Sequence, residues 1–276
     1  MYPYITLQLP YLGTFYIPAY SFFAFVGLFF TMVFLNGRLQ KREIPFERFL
    51  ILMLFMGLGV GLGSKALFIL TKIPEILQEF SLQKTLYIIW TSGFVFYGGL
   101  LGAVVGSWCF AHLFRIPFYS LMEVIVPGFP LFHFWGRIGC FFAGCCYGRA
   151  ASWGIPLSSE PGIPRIPIQL IESACLALIF IGLLLLERTK SGRLSLLKCY
   201  LLSYSACRFI LEFFRGDEIR GIWFGLSTSQ WISAGIFCST MAILIVRKNA
   251  AYSAPTPSLK DACRTSHLQD KESPKS

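Results

Sequence analysis

The stretch IQLIESACLALIFIGLLLL, residues 168–186, carries a single charged side chain, Glu172, in 19 positions. A helix needs about 20 mainly apolar residues to cross the hydrocarbon core of a bilayer, so this run reads as a transmembrane helix. Its acid sits one turn inside the span and needs a proton or a cationic partner there. Working outward, six more apolar runs stand at 15–36, 49–70, 94–114, 118–135, 194–214 and 228–246. The expected fold is an all-α polytopic membrane protein of about seven transmembrane helices with a pocket at the outer-leaflet side. Pro127, Gly128 and Pro130 interrupt the 118–135 run. Broken backbone at membrane depth is tolerated only where protein or a cavity satisfies the freed groups, which places a site nearby.

Composition agrees. Of 276 residues, 55% are hydrophobic and 14% charged, against about 25% charged in an ordinary soluble domain. The mean hydropathy is +0.63. A soluble globule, a disordered chain, a disulfide-rich miniprotein and a coiled coil are all excluded. A net charge of +10 would suggest nucleic acid in a soluble protein. Here the basic residues gather in alternate loops, as Arg38, Lys41, Arg42 and Arg48, then Arg115, then Arg188, Lys190 and Arg193, then Arg247 and Lys248. No lysine or arginine precedes Arg38. The positive-inside rule then sets the N-terminus outside and the C-terminus in the cytoplasm, and no nucleic-acid partner is expected. Residues 1–248 read as one membrane domain and 249–276 as a polar, disordered cytoplasmic tail. The first run lacks a basic n-region and a cleavage site, so it reads as a retained span. The absence of an internal repeat argues against a transporter.

That orientation puts Arg137, Arg149, Arg165, Arg215 and Arg220 on the outer side, against the trend. Arg208 lies within the sixth span, about 9 Å from its outer end at 1.5 Å per residue. A charge at the centre of a membrane helix costs about 2.5–3.5 kcal/mol, so such residues face the bundle interior and pair. Glu212, four residues on, shares Arg208's helical face. Two readings follow: a structural ion pair, or an anion site at headgroup depth. Guanidinium groups hold phosphate through planar, charge-assisted hydrogen bonds. Arg137 follows the broken fourth helix within Gly136-Arg137-Ile138-Gly139, where Gly136 and Gly139 let a ligand approach the backbone. A phospholipid headgroup and a soluble anion would both satisfy these arginines.

Other features carry paired readings. Gly57, Gly59, Gly61 and Gly63 alternate in MGLGVGLGSK, and close helix packing is the first explanation. Lys65 just beyond them is placed to snorkel. Tyr97, with Gly98 and Gly99 beside it, fits an aromatic belt or a pocket-lining backbone, and Tyr20 has the matching depth in the first span. Cys140, Cys145 and Cys146 lie outside, where disulfides form. The spacing C-x4-C-C is weak as a zinc signal and lacks C-x-x-C. A disulfide or apolar thiols therefore come first, redox chemistry second and metal last. His133, four residues before Arg137, is a packing residue or a base.

In this order the residues resemble the bacterial prolipoprotein diacylglyceryl transferase family. The signature G-R-x-G-N-F stands here as GRIGCF at 136–141. Supporting blocks are FYGGLLG at 96–102, RIPIQLIE at 165–172, RFILEFFR at 208–215 and LSTSQWIS before the last span. The resemblance implies a seven-span enzyme of the bacterial cytoplasmic (inner) membrane. It implies transfer of the diacylglyceryl group of phosphatidylglycerol to the lipobox cysteine of a preprolipoprotein signal peptide, among membrane lipids. No cofactor and no metal is implied. Arg137 matches the signature arginine, Arg208 and Glu212 a required pair of the sixth span, and Tyr20 an important tyrosine of the first. The family's histidine before the paired glycines is Tyr97 here. Its asparagine after G-R-x-G is Cys140, and its N-G-E is Ala143-Gly144-Cys145.

The implied reaction is thiol alkylation, with a thiolate as nucleophile. Arg137, Arg208 and Glu212, with His133 as base and Tyr97 as a hydrogen-bond donor or positioning group, are the expected catalytic set. Tyr20, Gly98, Gly99, Gly136, Gly139, Arg165, Gln169 and Arg215 are the expected substrate-binding set. The competing readings are a non-catalytic lipid- or lipoprotein-binding relative and an outer-face thiol redox protein.

Overall fold

The computed structural model describes residues 3–9, 13–78, 81, 83, 95–157, 162–189, 195–216 and 221–250. Lys190, Arg193, Arg220 and the tail beyond residue 250 lie outside them. The described helices are α1 (Ala19–Gln40), α2 (Phe46–Gln78), α3 (Phe96–Leu113), α4 (Phe118–Ile125), α5 (Gly128–Ala143), α6 (Ile168–Arg188), α7 (Leu196–Leu211) and α8 (Thr228–Ala250). Four of them are long and apolar enough to cross a membrane, and α4 and α5, bent by 44° at their junction, pass the same test together as a broken span or a re-entrant loop. The chain is a helical, polytopic membrane protein. Two differences from the sequence reading have physical causes. The fourth run is two helices, because Pro127 and Gly128 break it, while Pro130 sits in the first turn of α5, where its missing N–H is no loss. Arg137 therefore lies inside α5, not after a broken helix. The sixth run stops its α-helix at Leu211 and tightens into a 3-10 turn over Glu212–Phe214.

The chain forms two compact units. In the unit spanning 36–122, α2 packs on α3 through glycines. A Cβ on Gly59 would strike the carbonyl of Gly102, and one on Gly98 the carbonyl of Gly63. Small residues at four-residue spacing let the two backbones touch. Gly57 and Gly61 face open space. Gly98 and Gly99 are thus occupied by α2, with Ser64 against Gly99. Tyr97, half-buried, belongs to the same unit.

The other unit holds α1 up to Leu35 and everything from Glu123 onward among the described residues. Here α5 presents one face to α1. Gly139 approaches Tyr20 and Phe23, Gly27 approaches Trp135, and Phe23 stacks on Phe142 at 4.9 Å. Its other face meets α7 in a ladder of four-residue steps. Phe129 stacks with Tyr200 at 6.1 Å and His133 meets Tyr204 edge-on at 5.4 Å. Arg137 and Arg208 stand at the next step of each helix.

Caps fix the helix ends. Ser195 caps α7 by accepting from the Lys198 amide at 3.2 Å. Glu123 of α4 accepts from the Ser195 hydroxyl and, at 2.7 Å, from the Leu196 amide. Ser227 and Gln230 form a reciprocal capping box on α8, at 3.2 and 2.9 Å. Between α5 and α6 the chain runs as a short central strand. Gly148 donates to Ile166 at 3.1 Å, Arg149 donates to Phe214 at 2.9 Å, and Gly216 donates to Tyr147 at 3.0 Å. This clamp ties the C-terminal ends of α5 and α7 to the N-terminal end of α6. Gly148 and Gly216 allow it, since a Cβ on either would collide with the neighbouring strand.

Candidate functional site

Where those three ends meet, five charged side chains form one buried network. Glu172 of α6 lies 3.0 Å from Arg137 of α5, through Oε1, and 3.4 Å from Arg208 of α7, through Oε2. Arg208 also contacts Glu212 at 2.8 Å, and Arg215 reaches the same carboxylate oxygen at 3.6 Å. Glu172 is 1% and Arg208 8% exposed. His133 places Nε2 3.9 Å from Glu172 Oε1. The Ser229 hydroxyl, in the first turn of α8, lies 3.5 Å from Arg208. The pairing of Arg208 with Glu212 follows from their shared helical face. Glu172 is the hub that the candidate set omitted, although its charge in an apolar run was the signal for it.

The network joins three guanidinium groups to two carboxylates, and its hydrogen bonding is incomplete among the described residues. Arg137 Nε is buried with no hydrogen-bond partner among the described residues, and so is Gln169 Oε1. Gln169 spends its amide nitrogen on the Cys145 carbonyl at 2.8 Å. An unpaired buried donor costs about 1–3 kcal/mol. Such a donor, being part of a guanidinium group, is chemically suited to an anionic acceptor.

The remaining candidates are distributed unevenly. Arg165 lies over the Tyr147 ring at 4.4 Å, a cation–π contact. Gly136 faces open space, whereas Gly139 packs against α1 at Tyr20 and Phe23. Tyr20 is exposed at the start of α1. Tyr97, Gly98 and Gly99 lie in the other unit. A cleft of about 370 Å³ opens between the antiparallel strand pair Tyr4–Leu9 and Gly13–Pro18 and the start of α1, lined by Tyr4, Ile5, Thr6, Ala19, Phe23 and Phe142. None of the candidate residues lines it.

Cys140, Cys145 and Cys146 come together although C-x4-C-C reads weakly. Gly144 ends α5 in the left-handed region at φ 71°, and the Cys145 amide returns to the Cys140 carbonyl at 3.1 Å. This Schellman-type reversal folds the loop back over the last turn. The three thiols are free, and their sulfurs lie within 4.8 Å of one another. The Cys146 thiol is pushed well below the ordinary range by hydrogen bonds from Cys140 and Cys145, with Arg137 and Arg215 adding to the effect.

Comparison with known proteins follows the same residues. Residues 8–246 match the family described as prolipoprotein diacylglyceryl transferase. A phosphatidylglycerol--prolipoprotein diacylglyceryl transferase of Clostridium tetani is 32% identical over 75% of this chain and 84% of its own length. A second, from Clostridium perfringens, is 30% identical over 83% and 91%. One from Nitrosomonas europaea is 32% identical over 78% and 81%.

Proposed function

The chain belongs to the prolipoprotein diacylglyceryl transferase family, and from that footing we propose that it moves the diacylglyceryl group of phosphatidylglycerol onto the lipobox cysteine thiol of a preprolipoprotein. The observation that carries the reading is the buried Nε of Arg137, which has no hydrogen-bond partner among the described residues and sits in a network with Arg208 and Arg215. A lipid phosphate supplies the missing acceptor through a charge-assisted hydrogen bond.

The chemistry follows from that placement. The phosphate accepts from Arg137, while Glu172 and Glu212 hold Arg137 and Arg208 in fixed orientations. The acceptor sulfur attacks the glycerol carbon that bears the phosphate ester. Negative charge grows on the departing phosphate oxygen, where preorganised guanidinium groups stabilise it without reorganisation. A thiolate is the nucleophile, so the acceptor proton must leave. His133 takes it, one turn before Arg137 and facing Glu172. Arg215 adds charge at the rim, and Gln169 and Gly136 border the space in which the headgroup sits.

The membrane arrangement belongs to the same reading. Helix α3, at 18 residues, is about 27 Å long, and α7, at 16, about 24 Å before its 3-10 turn. Both lengths support crossings, giving seven spans with the site at the extracytoplasmic face of the bacterial inner membrane. The purified chain should convert a lipobox peptide and labelled phosphatidylglycerol into a thioether-linked lipopeptide detectable by mass. A cysteine peptide left unmodified, under conditions where a family enzyme modifies it, refutes the proposal.

A further inference from the structure

The three thiols of the α5 C-terminal turn are not used by the chemistry above. Their sulfurs form one cluster with no pair bonded, which suits a ligand shared by all three. A disulfide joins two sulfurs at about 2.05 Å and leaves the third aside. A tetrahedral ion with bonds of about 2.3 Å sets its sulfurs about 3.8 Å apart. The present mutual limit of 4.8 Å then requires shifts of at most about 1 Å. The loop that holds them is built from both sides. Gly144 and Cys146 adopt left-handed conformations, at φ 71° and 57°, and the buried Gln169 amide anchors the Cys145 carbonyl at 2.8 Å. Cys140 is buried, Cys146 half-buried and Cys145 exposed, so one side of the triangle faces outward. Arg137 lies within electrostatic reach of all three sulfurs, and Arg215 of Cys146. Positive charge there compensates an assembly in which three thiolates outweigh a divalent cation.

We propose that Cys140, Cys145 and Cys146 hold one soft divalent ion of the zinc class, and that its outward fourth position takes the acceptor thiol. The second half rests on the transferase reading. Three protein ligands with an open position is the arrangement of catalytic rather than structural zinc. The acceptor S–H displaces bound water and loses its proton to the base, leaving a thiolate on the ion. That sulfur's lone pair forms the S–C bond as the glycerol carbon–oxygen bond breaks, its electron pair leaving on the phosphate oxygen. No atom changes oxidation state through an external reagent. The thioether product is neutral, a poorer ligand than thiolate, and yields its place to water.

The test uses the full chain in detergent, stripped with a chelator and titrated with Co²⁺ as an optical probe. One equivalent should generate sulfur-to-cobalt charge transfer with tetrahedral d–d bands, and Zn²⁺ should bleach them. Cys140→Ser, Cys145→Ser and Cys146→Ser should each lose the signal, while Cys238→Ser keeps it. Thermal unfolding checks that the variants fold, and Cys145, being exposed, is the substitution least coupled to packing. Adding a lipobox cysteine peptide should raise the charge-transfer intensity by about one third, as three thiolates become four, and a serine peptide should not. Absence of the bands in the unsubstituted chain overturns the site, and a cysteine peptide without effect overturns the acceptor role. Lipid transfer at equal rates by stripped and zinc-loaded protein overturns the metal's part in the reaction and leaves the transferase reading intact. Bands and peptide response without any transfer uphold the site and count against the transferase reading alone.

Discussion

Arg137→Lys separates phosphate binding from simple neutralisation of Glu172. Lysine keeps the positive charge and can still approach Glu172 Oε1, which now lies 3.0 Å from an Arg137 terminal nitrogen. What it lacks is Nε, the buried donor that has no partner among the described residues. If that donor serves the lipid phosphate, the substitution removes one charge-assisted hydrogen bond, worth about 1.5–3 kcal/mol. At about 1.4 kcal/mol per factor of ten, kcat/KM for phosphatidylglycerol should fall about 10- to 150-fold. The assay is the initial rate of lipopeptide formation in mixed micelles of varied phosphatidylglycerol content, with thermal unfolding in parallel. The lysine variant should unfold near the parent temperature, because the ion pair to Glu172 survives. Arg137→Ala should lose more on both counts. A lysine variant within about twofold of the parent would refute the reasoning, since a purely structural cation would be replaceable at that position.

Glu172→Gln leaves Arg137 and Arg208 buried without their shared carboxylate, at a cost of about 3–5 kcal/mol. Unfolding should move down by several degrees, and an unchanged midpoint contradicts the network as drawn. Gly102→Ala drives a methyl into the α2 backbone at Gly59 and should destabilise by about 1–3 kcal/mol. Gly61→Ala, facing open space, should be silent, and equal effects would contradict the packing. In metal-free protein, Cys146 should keep reacting with iodoacetamide as pH falls below the ordinary thiol range of about 8–9, because its thiolate is stabilised by its neighbours. A reaction rate that falls in step with that of a cysteine tripeptide would contradict the stabilisation.

What could be read in advance divides along physical lines. Apolar length is a local property, so the runs that became α1, α2, α6 and α8 were legible, and the Arg208–Glu212 pair followed from helical spacing alone. The break at Pro127–Gly128 was visible too, yet its consequence was misplaced. A proline tolerated in the first turn lets α5 run on through Arg137 to Ala143. Partners of Glu172 were not legible, because Arg137 and Arg208 stand 35 and 36 positions away and meet it through the packing of α6 against α5 and α7, which the strand clamp at Tyr147–Arg149 supports. The convergence of the thiols depended on one left-handed glycine, which spacing rules for metal ligands do not anticipate. Gly98 and Gly99 show the reverse difficulty. Paired glycines signal close approach, and here what approaches them is α2.

Replacing a cell's own transferase with this chain tests the central claim most directly. In a strain depleted of that enzyme, the chain should restore growth and diacylglyceryl-modified lipoproteins, and Arg137→Ala, present in the membrane at equal level, should restore neither. Failure of the unsubstituted chain, or rescue by Arg137→Ala as complete as its own, would contradict a phosphate-gripping site at this network.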